Sequence, residues 1–136
     1  MSTVKFLNSQ GQTNLFKMVS DFHEKFGIGP KPYEEHTHHD HNFRIGFMEE
    51  ELGEYIRSYD TDDKAEMLDA LVDLVYVCMG TAVMYGWDFN EAFRRVHAAN
   101  MAKVRVSSAA ESKRGHANDI RKPEGWTPPV LTDLVE

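Results

Sequence analysis

Apolar residues at Leu15, Phe16, Met18, Val19, Phe22 and Phe26 recur at the three- and four-residue spacing of a helix, and Gly27 follows as a stop. The pattern predicts a first helix from Thr13 or Asn14 to Phe26. Gly29-Pro30-Lys31-Pro32 then breaks it, because proline disfavours helix at its own position and at the residue before. A second helical period runs from about His41 to Tyr59. It carries a wide apolar face of Ile45, Met48, Leu52, Tyr55, Ile56 and Tyr59, with Phe43 and Phe47 on a separate line. Asp60-Thr61-Asp62-Asp63 supplies turn and N-cap chemistry for a third helix, about Asp63 to Tyr85. Between Met67 and Met84 that helix is apolar on nearly every side, the pattern of a helix buried at its centre. Gly86 ends it. Asp88 with Glu91 reads as a capping box opening a fourth helix through about Val104. No segment alternates with period two over any length, so the expected fold class is all-α.

After Val104 the chain turns to small and polar residues, Ser107, Ser108, Ala109 and Ala110, then to a basic stretch ending at Lys122. Pro123, Pro128 and Pro129 preclude a helix there, yet Trp126, Val130, Leu131, Leu134 and Val135 are too apolar for a free tail. An arm packed on its own bundle or on a neighbouring subunit is expected. The 136 residues suit a single domain, with a helical bundle over about 13–104 and the arm over 105–136.

Glu49-Glu50-Glu51-Leu52-Gly53-Glu54 and Glu66-Met67-Leu68-Asp69-Ala70-Leu71-Val72-Asp73 stand out against this pattern. On helices turning roughly 100° per residue, Glu50 and Glu54 lie about 40° apart, and Glu66, Asp69 and Asp73 fall within about 60°. Glu50 and Glu54 continue the line of Phe43 and Phe47, and the second stripe runs on into Tyr76, Val77 and Gly80. Two helices joined by a tight turn would face these carboxylates at each other. Carboxylates turned toward a core are costly unless compensated, and few lysines or arginines lie nearby. A hard divalent cation, Mg²⁺ or Mn²⁺, is the natural compensator for an all-oxygen donor set.

The formal charge of −7 and pI near 5.5 argue against a general nucleic-acid binder. A nucleotide ligand stays compatible, because a bound cation bridges acidic side chains to phosphates. Cys78 is the one cysteine, set in the most apolar helix, and reads as a structural thiol. Met1 to Gln12 has no signal-peptide core and no run is expected to reach membrane-spanning length, so a cytoplasmic protein with no membrane partner is expected.

Asn100 and Lys103 share a face of the fourth helix with Phe93 and Val96. An amide and an ammonium there can close over a phosphate, or Lys103 can reach solvent at a helix C-terminus. His36, His38, His39 and His41 surround Asp40 without the regular spacing of zinc sites, and a polar loop is the expected reading. His23 and His97 read as interior or boundary histidines. A di-iron carboxylate site would want Glu-x-x-His on two helices, and only Glu35-x-x-His38 matches.

Glu50-Glu51-x-x-Glu54 followed by Glu66-x-x-Asp69 resembles the acidic signature of the all-α nucleoside triphosphate pyrophosphohydrolases, the MazG-like superfamily. That superfamily also takes in dimeric dUTPases and phosphoribosyl-ATP pyrophosphohydrolases. Met18-Val19-x-x-Phe22-His23-x-x-Phe26-Gly27, Asp69-Ala70-Leu71-Val72-Asp73, Val96-His97-x-x-Asn100-Met101-x-Lys103 and Lys122-Pro123-x-Gly125-Trp126-x-Pro128-Pro129 look like its small single-domain phage and bacterial branch. The segment from Val104 to Arg121 departs from that pattern. The resemblance implies a four-helix bundle with a C-terminal arm, assembled as a homo-oligomer, a tetramer built as a dimer of dimers. It implies hydrolysis of a nucleoside triphosphate to the monophosphate and pyrophosphate.

On that reading two or three Mg²⁺ or Mn²⁺ ions per site would be held by Glu50, Glu54, Glu66 and Asp69, with Asp73 a further ligand or an outer acceptor. Glu51 would be the general base. Asn100 and Lys103, with Arg121 or Lys122, would hold the outgoing phosphates. The narrower resemblance is to the MazZ subgroup, acting on dGTP and GTP. A dUTPase-like or phosphoribosyl-ATP pyrophosphohydrolase-like enzyme, and a non-catalytic oligomeric module binding metal or nucleotide, are the alternatives.

Overall fold

The computed structural model describes residues 14–136. The chain divides into two compact units, one up to Tyr85 and one from Gly86 onward, so the fourth helix groups with the arm.

The first unit is three helices, α1 (Leu15–Lys25), α2 (His38–Asp60) and α3 (Lys64–Tyr85), with α2 and α1 both packed on α3. Asn14 caps α1 by accepting from the Lys17 N–H at 3.0 Å, and Gly27, at φ +68°, takes the left-handed turn after it. Helix α2 begins three residues earlier than its apolar period. Thr37 Oγ1 accepts from the Asp40 N–H at 3.1 Å while Asp40 Oδ2 accepts from the Thr37 N–H at 2.8 Å. This reciprocal box makes the polar turn His38–Asp40 helical. Thr37→Ala is therefore expected to cost about 1 kcal/mol, read from the urea unfolding midpoint.

Three residues link α2 to α3. Thr61 closes α2, Asp62 adopts φ +53°, and Asp63 Oδ1 accepts from the Glu66 N–H at 3.1 Å to start α3.

The centre of α3 is crossed by polar side chains from both neighbours. A Cβ on Gly80 would lie 2.6 Å from His23 Nε2 and 2.8 Å from Arg44 Nη2, so only glycine lets α1 and α2 approach here. Arg44 donates from Nη2 to the Val77 carbonyl at 2.9 Å and from Nε to Thr81 Oγ1 at 3.1 Å. His23 Nδ1 donates to the Ile28 carbonyl at 2.9 Å, and burial lowers its pKa. The buried residues of α2 are Arg44, Glu51 and Ser58, a line at i, i+7 and i+14. The wide apolar face of α2 leaves Ile45, Leu52, Ile56 and Tyr59 exposed.

The histidines expected in a polar loop have structural partners. His36 is buried, and its Nε2 donates to the carbonyls of Lys31 (3.2 Å) and Met84 (2.9 Å). His41 Nδ1 lies 2.7 Å from the Tyr85 hydroxyl, and Tyr33, His36, His41 and Tyr85 stack edge on or tilted. These contacts fasten the start of α2 and the loop before it to the end of α3. His38 and His39 are exposed.

Helix α3, 22 residues with a window of mean hydropathy 1.7, is long and apolar enough to cross a membrane by length and composition, which overturns the expectation that no run reaches that length. It is the helix on which α1 and α2 both pack, with Ala70, Val77, Met79, Ala82 and Val83 buried.

The second unit holds α4 (Phe89–Met101), opened by Asp88 Oδ1 accepting from the Glu91 N–H at 3.0 Å. Helix α4 stops short of Val104. Val104–Arg105 (β1) pairs antiparallel with Ile120–Arg121 (β2), in register Val104 to Arg121 and Arg105 to Ile120. A ladder of two residues on each side is too short to print a period. Beyond it the arm packs on α4 of its own chain. Trp126 Nε1 donates to the Ala99 carbonyl at 2.7 Å, and Arg95 donates to Asp133 at 2.6 and 3.0 Å and to the Val130 carbonyl at 3.0 Å.

Candidate metal centre

Because α2 and α3 are antiparallel neighbours, the buried line of α2 runs against α3, with Arg44 opposite Val77 and Thr81. Seven residues along, Glu51 reaches Asp73. Carboxylate oxygens of Glu51, Glu54 and Asp73 lie within 4.8 Å of one another. Glu51 is 7% exposed, and its Oε2 is buried with no hydrogen-bond partner.

Three carboxylates so close do not all ionise readily. Burial, then the charges of Glu54 and Asp73, push the Glu51 carboxyl from 4.5 up to about 7, and Glu50 adds to the shift. Burial, then Asp69, raises Asp73, and Asp69 also shares a hydrogen bond with it. The cluster thus lacks a positive charge. A Mg²⁺ or Mn²⁺ ion fits it on three counts: every donor is oxygen, one buried oxygen is unpartnered, and the raised carboxyls mark repulsion that a cation relieves. Among the described residues no histidine joins the cluster, and Glu35 and His38 are both exposed, which leaves the di-iron pattern without support.

The spacing argument chose the residues around this cluster but divided them differently. Glu51, expected as general base, sits with Glu54 and Asp73 in the cluster, where Glu50 was expected. Glu50 is exposed one residue earlier on α2. Glu66 and Asp69 are exposed on α3, Glu66 at its first turn. A groove of about 310 Å³ joins Glu54 to Glu66, with Arg57, Ser58, Thr61 and Asp63 on its walls. The sequence reading missed Arg57, a cation at the mouth of an acidic site. Its position three residues after Glu54 was the available signal.

The residues expected to hold phosphate belong to the second unit. Asn100 is exposed on α4. Lys103 and Lys122 place their ammoniums 5.2 and 5.0 Å from the Trp126 ring centroid, and Arg121 pairs with Glu111 at 3.3 Å.

Residues 19–100 match the family model described as phosphoribosyl-ATP pyrophosphohydrolase, a span that contains Glu50, Glu51, Glu54, Glu66, Asp69 and Asp73. A protein of Acanthamoeba polyphaga mimivirus, described as uncharacterized protein L479, is 30% identical over 86 residues, covering 60% of this chain and 34% of that protein. The chain therefore spans about a third of that relative's length.

Proposed function

The chain belongs to the phosphoribosyl-ATP pyrophosphohydrolase family, within the all-α nucleoside triphosphate pyrophosphohydrolase superfamily, and from that premise we propose a metal-dependent hydrolase that cleaves (d)NTP to (d)NMP and pyrophosphate. The observation that carries the reading is the buried, unpartnered Glu51 oxygen facing Glu54 and Asp73. Glu51, Glu54 and Asp73 hold Mg²⁺ or Mn²⁺, with Asp69 bracing Asp73 and with Glu50 and Glu66 at the rim for the second and third ions. A bound cation supplies charge neutralisation of the triphosphate and activation of a water. Arg57, in the groove beside Glu54, orients substrate. Asn100, Lys103, Arg121 and Lys122 hold the outgoing phosphates.

The preferred substrates are dGTP and GTP, as in the MazZ subgroup of phages, with the enzyme at work in the cytoplasm, the host's if a phage encodes it. A second reading, phosphoribosyl-ATP as substrate, is favoured by the description of the matching family. The test is incubation with dGTP, GTP, dUTP and phosphoribosyl-ATP in Mg²⁺ or Mn²⁺, separating monophosphate plus pyrophosphate from diphosphate plus phosphate. Pyrophosphate release from any of them supports the hydrolase, and the preferred member sets the substrate. Metal-dependent binding without release from any would make the chain a binding module.

The homo-oligomer, a dimer of dimers, uses α1 and α3. Leu15, Met18, Leu71, Val72 and Val75 are exposed around an apolar groove of about 420 Å³, a hazard unless covered. A second copy of the same face covers it in an isologous contact. Val75→Asp is expected to yield monomer in sedimentation velocity at micromolar concentration. Wild-type assembly by that variant would place the interface elsewhere.

A further inference from the structure

Resting on the reading of Lys103, Arg121 and Lys122 as phosphate holders, we propose that the cleft of the second unit that contains them takes a pyrophosphate group without any metal, with Lys113 and Arg114 as further partners. The cleft is about 400 Å³ and brings together Lys103, Lys113, Arg114, Arg121 and Lys122 with two carboxylates, Glu111 and Asp119. In a protein of net charge −7, five cations against two acids are a local reversal of sign.

Both acids are already engaged. Asp119 accepts from Arg114 at 2.8 Å, from the Ser112 hydroxyl at 2.6 Å and from the Ile120 N–H at 2.8 Å. Glu111 accepts from the Ser107 N–H at 2.6 Å and pairs with Arg121 at 3.3 Å. These hydrogen bonds hold both carboxyls below their ordinary range, so they stay ionised and act as struts that orient the two guanidiniums. Among the described residues no carboxylate pairs with Lys103, Lys113 or Lys122. The Trp126 ring positions Lys103 and Lys122 by its face without neutralising them.

Gathering uncompensated cations is unfavourable unless a multiply charged anion joins them. Guanidiniums present planar forks to phosphate oxygens, and three ammoniums add point charges around them. The volume suits a di- or triphosphate, and carboxylates in the wall oppose a nucleic-acid strand. All five cations lie after residue 100, outside the family match. Free pyrophosphate and the polyphosphate tail of a nucleotide share the chemistry that this cleft reads.

The test is calorimetric titration of the full chain in EDTA with sodium pyrophosphate and, separately, with a non-hydrolysable nucleoside triphosphate. Lys113 is exposed and unpaired, so Lys113→Glu folds normally and should weaken binding about tenfold or more, while Lys113→Arg retains it. Lys25→Glu, the same charge change on α1, and Glu51→Gln should leave affinity unchanged. Pyrophosphate binding sensitive to Lys113 supports the free anion as ligand, and such binding for the nucleotide alone supports its tail. No binding of either in EDTA, equal weakening by Lys25→Glu, or tighter Lys113-dependent binding of a single-stranded oligonucleotide would overturn the proposal. Metal-dependent turnover without this binding would leave the hydrolase reading standing, and binding without turnover would do the reverse.

Discussion

Glu51→Gln is expected to lower affinity for Mg²⁺ or Mn²⁺ by at least about 100-fold, because loss of an outer partner alone costs 10–100-fold and the proposed role of Glu51 is that of a donor. Turnover should fall with it. The metal-free variant should nonetheless be more stable than wild type at neutral pH. With its carboxyl raised from 4.5 to about 7, folded wild type keeps a proton that the unfolded chain has released between those values. The folded state then binds more protons, so stability of the metal-free protein declines as pH rises through that window and levels off above it. Asp73, also raised, contributes with the same sign. Glutamine removes the Glu51 part of the decline. Calorimetric metal titrations, with urea midpoints in EDTA across the window, measure both effects. Retained metal affinity with a 10²–10⁴-fold loss in kcat alone would return Glu51 to the role of base.

Gly80→Ala should destabilise the chain by about 2 kcal/mol, the ordinary cost of overpacking a filled interior. An exposed helical glycine would gain up to about 1 kcal/mol from the same change, so even the sign is diagnostic. The new methyl group would meet His23 Nε2 and Arg44 Nη2, and each is tethered, His23 to Ile28 and Arg44 to Val77 and Thr81. Adding His23→Ala should return part of the loss, since the two changes share one space. A midpoint for Gly80→Ala at or above wild type would mean that the tethers yield.

The four helices were legible because each carries a period and at least one end signal: Asn14, Gly27, Asp63, Gly86 and Asp88 all stand at the junctions they predicted. The start of α2 was not, since Thr37 and Asp40 form a box before any apolar period begins. Hydrophobic pattern did not mark the buried side of α2. Ile45, Leu52 and Ile56 made the obvious face, while the side that meets α3 is Arg44, Glu51 and Ser58. A polar line is invisible to a count of apolar residues, and it stays buried because hydrogen bonds satisfy most of it. The acidic stretch was legible as a cluster, but the choice between Glu50 and Glu51 turns on a rotation of about 100°, and the wheel alone lacked a fixed origin. The basic cleft showed only as a basic stretch ending at Lys122, because cations from Lys103 to Lys122 converge only through loop geometry.

The link Thr61-Asp62-Asp63 has no slack: Asp62 already takes a left-handed backbone, and Asp63 N–H closes back on the Ser58 carbonyl at 2.9 Å. One residue more or fewer would turn α3 about 100° against α2 and swing Asp73 away from Glu51 and Glu54. The connector is therefore the phase key of the acidic centre, and its residue count is as much a part of that centre as the carboxylates. A relative that keeps those acids should change in length here only by whole helical turns.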